Sequence, residues 1–203
     1  MSLLHLFRTP YLSPDQTSNL LSRVRSLVSP AVQAIDTESC INIQTVSPLT
    51  KSEEKLLTWL LRETFDPDGF GVGSFLVSDG QVFEVGPRMN FSTAWSTNAV
   101  SICRACGLDK IQRIERSRRY LLKGGQNLVG ERATALLDLI HDRMTECPFP
   151  DPLTTFDTGG APEATFNIPL IEEGIAALAR LNQEMGLAFD DRDLEYYTDL
   201  FMD

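Results

Sequence analysis

The order strand, helix, strand, helix is written twice in this chain, once on each side of Asp79-Gly80, and that doubling narrows the fold more than any single motif. In the first copy, Ser2–Arg8 reads as a short strand stopped by Pro10. Ser13-Pro14-Asp15 then opens a helix with a hydroxyl cap, proline at the first helical position and an acid in the first turn. Leu20, Leu21, Val24, Leu27 and Val28 recur at helical spacing until Pro30. Val32–Val46 is extended, and its polar stretch Asp36–Ser39 predicts a bend. Thr50-Lys51-Ser52-Glu53 is a capping box for a helix carrying Leu56, Leu57, Trp59, Leu60 and Leu61, broken by Asp66-Pro67-Asp68-Gly69.

The second copy follows a predicted loop at Phe70–Gly73. Ser74–Ser78 and Gln81–Val85 read as strands around the hairpin signal Asp79-Gly80, with Pro87 closing the second. Ser92–Thr97, rich in hydroxyl groups, leads into a helix through Ala99, Val100, Ile102, Cys103 and Cys106, with Gly107 placed to cap its C-terminus. Ile111–Leu122 is a strand, Gly124-Gly125 a turn and Glu131–Arg143 a helix. The expectation is an α+β domain with a largely antiparallel sheet in a pseudo-duplicated, ferredoxin-like arrangement, without residue-level self-similarity between the copies. Prolines and glycines crowd the chain from Pro148 to Pro169, which predicts an extended connector without packing, followed by helices at Ile171–Met185 and Asp190–Met202. The division is 1–150 for the sheet domain and 151–203 for the connector and its helices.

Charge limits the function. The net charge of −10 opposes general nucleic-acid binding, which needs an excess of Lys and Arg. Bases are nevertheless gathered: Arg88 to Lys123 holds eight against two acids, whereas Glu184 to Asp203 holds seven acids and one base. The basic waist is either solvated surface or a face for an anion or an acidic partner. The longest apolar run, Leu56–Leu61, is far short of the ~20 residues that span a bilayer. No secretory or transit signal is legible, so a cytoplasmic protein is expected, or an organelle form whose transit peptide is removed or missing. The four cysteines read as reduced thiols, and Cys103-Arg104-Ala105-Cys106 as two small buried thiols of a helix rather than a metal site, since no second pair accompanies it.

Glu84 to Asn98 is the most unusual segment. A strand leaves the sheet, turns at Gly86-Pro87, presents Arg88 and Asn90, and enters a helix through Ser92, Thr93, Ser96 and Thr97. Free N–H groups and the positive dipole end favour an anion there, and ordinary capping by Ser and Thr explains the same residues equally well. On the following strand Arg116 and Arg118 share one face, Glu115 and Arg119 the other, placed for ion pairs across the sheet. His141-Asp142 lacks any nucleophile to serve, and no phosphate-binding loop, GxGxxG, HExxH or GxSxG is present. No catalytic residue and no metal ligand is assigned.

Five stretches carry a resemblance. EVGPRMNFSTAWSTNAVSICRACGL (Glu84–Leu108), RIERSRRYLL (Arg113–Leu122), HDRMTEC (His141–Cys147), GLAFDDRDLEYYTDLF (Gly186–Phe201) and TESCINI (Thr37–Ile43) resemble the N-terminal stretches of the large-type phosphoribosylformylglycinamidine synthase family, most of all its eukaryotic, plant-like members. The resemblance implies ATP-driven transfer of glutamine amide nitrogen to formylglycinamide ribonucleotide, with ATP and Mg bound by the parent enzyme and not by this segment. It implies that the opening domain is similar to a dimer of the small PurS-type subunit, with a linker domain starting near Pro152. The implied partners are the synthetase and glutaminase domains, which in the family follow later in the chain, so the 203 residues alone are expected to be inactive. In that setting Arg88, Asn90, Ser92, Thr93, Ser96 and Thr97 are expected to face the synthetase cleft near the phosphorylated substrate or the ammonia route, with Arg116 and Arg118 adding positive field. Two other readings stay open: a stand-alone scaffold of the same fold, and a nucleotide-binding regulatory domain.

Overall fold

The computed structural model describes residues 2–62, 66–76, 80–125, 127–150, 153–157 and 164–202. They fall into two compact units, Met1–Thr158 and Gly159–Asp203. In the first, β1 (Ser2–Arg8), α1 (Pro14–Leu27), β2 (Ala34–Thr45), α2 (Lys51–Leu61) and β3 (Phe70–Gly71) are followed by β4 (Gln81–Pro87), α3 (Ala94–Ala105), β5 (Ile111–Lys123), α4 (Glu131–Ile140) and β6 (Glu146–Pro148). The strand order is β3-β1-β2-β5-β4-β6 and every pairing is antiparallel. Read inward from either edge, the sheet therefore repeats one pattern: the late short strand, then the first strand, then the long one. The predicted duplication is a property of the topology.

The helices start where side chains can replace missing hydrogen bonds. Ser13 and Gln16 form a reciprocal capping box on α1, Thr50 and Glu53 another on α2, and Thr93 caps α3. Gly107, at φ +83°, closes α3 while Leu108 donates back to the Cys103 carbonyl. All four helices cover one face of the sheet in crossed pairs. α1 and α4 share a cluster with Val24, Ile35, Val85, Leu122 and Leu136. α2 and α3 share another with Ile43, Leu57, Val100, Ile111 and Ile114.

The opposite face is covered by chain that was expected to be unpacked. Phe149, Leu153 and Phe156 are buried against Leu3, Met89 and Cys147, so the segment after Pro148 is part of the core. Its proline content suggested an exposed connector, but three apolar residues spaced over eight positions reach the face of the sheet that the helices leave open. Gly86 is required by this contact, because a Cβ there would lie 2.5 Å from the Phe149 ring. Other local expectations are corrected as well. β2 runs unbroken through Asp36–Ser39, where Thr37, Glu38 and Ser39 are buried because β5 pairs along its full length. Phe70–Gly71 is a strand on β1, and Ser74–Leu76 is irregular because Ser74 and Phe75 turn to bind Glu38. Val77, Ser78 and Asp79, including the first half of the predicted hairpin turn, lie outside the described residues. α4 ends at Ile140, short of Arg143, and β6 was not foreseen.

In the second unit, α5 (Leu170–Glu173), α6 (Ile175–Met185) and α7 (Asp191–Met202) replace the two predicted helices, since Gly174 at φ +61° divides the first. Asn182 brackets the turn by accepting from Phe189 N and donating to its carbonyl, both at 3.0 Å, and Asp190 and Asp193 cap the start of α7 reciprocally.

Two outcomes follow from this packing. Gly86→Ala is expected to cost about 1–3 kcal/mol through overpacking, and measurably less in a Phe149→Ala background, as read by a double-mutant cycle of urea unfolding. Independent costs in the two backgrounds would disprove the contact. The second concerns Glu53, whose carboxylate accepts from Lys110 Nζ at 2.8 Å and from Thr50 N at 2.6 Å. Lys110 first and the Thr50 backbone second hold its carboxyl at about 2. Because the folded value is depressed, the pair contributes stability above the ordinary carboxylate range and loses it as pH falls toward 2. NMR titration should place the Glu53 midpoint near that value and return it toward ~4.3 in Lys110→Met.

Candidate functional site

The loop from Arg88 to Thr93 lies beside β5 where β4 has ended, and it is fastened there by two residues absent from the expected site. Arg113 donates to the Met89 carbonyl at 2.8 Å and to the Phe91 carbonyl, while its guanidinium stacks 4.5 Å from the Phe156 ring centre. Glu115, 1% exposed, accepts from Thr93 N at 3.1 Å and Thr93 Oγ1 at 2.8 Å, and pairs with Arg113 at 3.2 Å. The anion at the positive end of α3 is thus the protein's own carboxylate. Thr93 Oγ1 also receives Ser96 N at 3.0 Å.

The eight expected residues consequently divide. Thr93, Ser96 and Thr97 occupy the start of α3, but Ser96 is buried with its Oγ accepting from Ile114 N, and Thr97 returns its hydroxyl to the Thr93 carbonyl. Ser96 does not face outward. Arg118 binds Glu146 at 2.5 Å and the Ile140 carbonyl at 3.0 Å, so its charge is largely offset within the fold. Arg88, Asn90, Ser92, Thr97 and Arg116 are exposed. Arg88 donates to the Arg143 carbonyl at 2.6 Å, and Arg116 sits 4.9 Å from the Trp95 ring centre. Five of the eight bases in the waist pair with carboxylates: Lys110, Arg113, Arg118, Arg119 and Lys123. Most of the basic waist is therefore internal wiring.

The face under Phe149 and Phe156 holds a second polar assembly that the register explains. Glu38, Cys40 and Asn42 on β2 stand opposite Arg119, Ser117 and Glu115 on β5, and Glu84 on β4 stands opposite Arg119. Arg119 bridges Glu38 at 2.5 Å and Glu84 at 3.1 Å, while Ser74 Oγ and Phe75 N complete the Glu38 shell at 2.7 Å each. Ser117 donates to Glu84 at 2.5 Å, and Asn42 links Ser117 at 2.9 Å to His5 at 2.8 Å. The ion pairs expected across the sheet are present. Cys40, His5 and Asn42 lie together, yet burial first, then the Glu84 charge, pushes the Cys40 thiol well above its ordinary range. A protonated thiol is a poor nucleophile, and the hydrogen bonds of the cluster tie β1, β2, β4 and β5 together.

Cys103 is buried in the α3 core and Cys106 is exposed at the helix end, which corrects the expectation of two buried thiols: Cys106 lies where the helix turns outward at Gly107. Among the described residues, no group of His, Cys, Asp or Glu is placed to hold a metal ion, and Glu38, Glu84 and Glu115 are committed to protein donors. These carboxylates leave no donor set for Mg among the described residues, and no step through Mg is assigned to them. No helix among the described residues is long and apolar enough to cross a membrane.

The loop and the strand that fastens it both fall within residues 38–155, which match the family described as formylglycinamide ribonucleotide amidotransferase N-terminal. The chain belongs to that family. It is 44% identical over 98% of its length to a probable chloroplastic/mitochondrial phosphoribosylformylglycinamidine synthase of Arabidopsis thaliana. It is 46% identical over 99% to the phosphoribosylformylglycinamidine synthase of Dictyostelium discoideum, and 41% over 86% to that of Homo sapiens. The chain spans only 13–16% of the length of these relatives. Members of this amidotransferase N-terminal family are thus represented here by a domain whose best-organised polar groups serve its own loop.

That assignment of roles is measurable. Glu115→Ala leaves Arg113 and the Thr93 donors without their carboxylate and is expected to cost about 3–5 kcal/mol in urea unfolding, whereas exposed Arg116→Ala stays within about 1 kcal/mol. Equal effects at the two positions would contradict the clamp.

Proposed function

We propose that this chain is the N-terminal segment of a phosphoribosylformylglycinamidine synthase, the ligase that uses ATP and glutamine to convert formylglycinamide ribonucleotide to formylglycinamidine ribonucleotide in purine synthesis. Its part is structural: it braces the synthetase and glutaminase domains and borders the ammonia route, and it is inactive alone. The observation that carries this reading is the family match together with near-complete alignment to a small fraction of much longer synthases. Residues 1–150 serve as the PurS-like domain, and the chain from 151 onward as the linker, whose first stretch packs on that domain through Leu153 and Phe156.

The geometry supports a brace better than a catalyst. Backbone groups of Met89, Phe91 and Thr93 are pinned, so the neighbouring side chains of Arg88, Asn90 and Ser92 are presented without a large ordering cost. Arg88, Asn90, Ser92 and Arg116 form the outward set offered to the synthetase cleft, and Arg88 and Arg116 supply the positive field for a phosphorylated substrate. Thr93 and Ser96 hold the helix end behind them, and Thr97, exposed on the first turn of α3, stands with the outward set. The proposed compartment is the cytoplasm, or an organelle in the manner named for the plant relative.

The test uses the full-length enzyme. Arg88→Ala should lower glutamine-dependent turnover about tenfold or more, a barrier change of about 1.4 kcal/mol, with glutamine hydrolysis uncoupled from product. Adding the purified chain to the remaining domains should restore turnover that neither part shows by itself. Unchanged turnover and coupling in Arg88→Ala would remove the loop from function, and turnover by the chain alone would remove the brace.

A further inference from the structure

Arg113 serves three acceptors at once. Its Nη1 donates to the Met89 carbonyl at 2.8 Å, its Nη2 to the Phe91 carbonyl and its Nε to Glu115 at 3.2 Å. The guanidinium is a planar fork, so holding all three leaves it a single orientation. Tilting the plane would carry the two terminal nitrogens off the loop. The plane is supported from the other end of the domain: its central carbon stands over the Phe156 ring, 4.5 Å from the ring centre.

Phe156 is itself held. It is buried together with Phe149 and Leu153, and Leu3, Met89 and Cys147 pack around the three. The turn that presents it is closed by Thr155 Oγ1, which accepts from Asp157 N at 2.9 Å. At the loop, the two carbonyls that Arg113 grips lie on either side of Asn90, whose side chain is exposed. Arg88 is tied independently, its N–H donating to the Thr145 carbonyl at 3.0 Å and its guanidinium to the Arg143 carbonyl at 2.6 Å. The contacts of Arg113 therefore bear on Asn90 more than on Arg88.

We infer, on the reading that this loop faces the synthetase cleft, that Phe156 is a positioning residue acting through Arg113 to hold Asn90. The stretch that leaves the sheet domain thus sets the geometry of the face that the domain presents. Phe156 touches nothing in the cleft itself. Moving its ring frees the Arg113 plane and loosens the backbone around Asn90, while Arg88 keeps its place.

The first measurement needs no variant. In NMR spectra of the chain, the Arg113 side-chain N–H signals should be displaced upfield by the Phe156 ring and protected from solvent exchange. The second uses the full-length synthase. Phe156→Leu keeps an apolar side chain without the ring, and should lower glutamine-dependent turnover about fivefold by misplacing Asn90. In an Asn90→Ala background the same change should lower turnover no further, whereas a merely structural loss would multiply in both backgrounds. Leu153→Ala, in the same cluster but without a contact to Arg113 in evidence from the ring stack, should reduce the urea midpoint and leave turnover within twofold. Undisplaced, freely exchanging Arg113 signals, or multiplying effects of Phe156→Leu and Asn90→Ala, overturn the positioning role. A silent Phe156→Leu beside an effective Arg88→Ala overturns that role alone and leaves the proposed function standing. A silent Arg88→Ala overturns the reading beneath it as well.

Discussion

The antiparallel ladder between β2 and β5 decides the rest of the first unit. It runs from Ala34 opposite Lys123 to Thr45 opposite Ile111 and is the seam between the two halves. Side chains alternate along it, so one face carries Ile35, Ile41, Ile43, Ile114 and Leu122 toward the helices, and the other carries Glu38, Asn42, Glu115 and Arg119. A slip of one residue in either strand would drive those charges beneath Leu57 and Val100 and expose the isoleucines to the polar side. Few alternatives compete with a register specified on both faces at once.

The charged layer on that face is better understood as a device for register than as a source of stability. Taking Glu38, Glu84 and Arg119 out of water is costly, and their attraction repays the cost only when geometry and hydrogen bonding are nearly complete. Here they are close to complete: Ser74, Phe75 and Ser117 supply the donors that the one guanidinium cannot. Apolar layers of the same volume are often as stable as buried ion pairs, but they place no charge to penalise a neighbouring register. Charge thus buys uniqueness, and Ser74, Phe75 and the Phe7 ring close around Glu38 and Arg119.

Much of this was legible in the chain, and what was not has a common cause. Caps at Ser13 and Thr50 and the stop at Gly107 announced helix limits because those signals are local. Alternation along Glu115–Arg119 announced which charges share a face for the same reason. The failures depended on partners distant in sequence. Asp36–Ser39 looked like a bend because the pairing that buries it comes from residues 118–121. Phe149, Leu153 and Phe156 looked like connector because prolines surround them and the face they fill is assembled from four strands. Glu115 could be placed on its face, yet nothing short of the fold showed it meeting Thr93, since that contact depends on β4 ending before β5 does.

That last contact changes how the positive helix end should be understood. A helix N-terminus open to solvent attracts any anion, and its preference is weak and screened. With Glu115 already bound to Thr93, the end of α3 no longer selects for phosphate; it anchors the loop that precedes it. Arg88, Asn90 and Ser92 are then exposed on a loop whose backbone Arg113 and Glu115 fix from the other side of the sheet. On the proposed reading, the spacing of those side chains, and with it what the loop offers the synthetase cleft, depends on the Arg113–Glu115 pair.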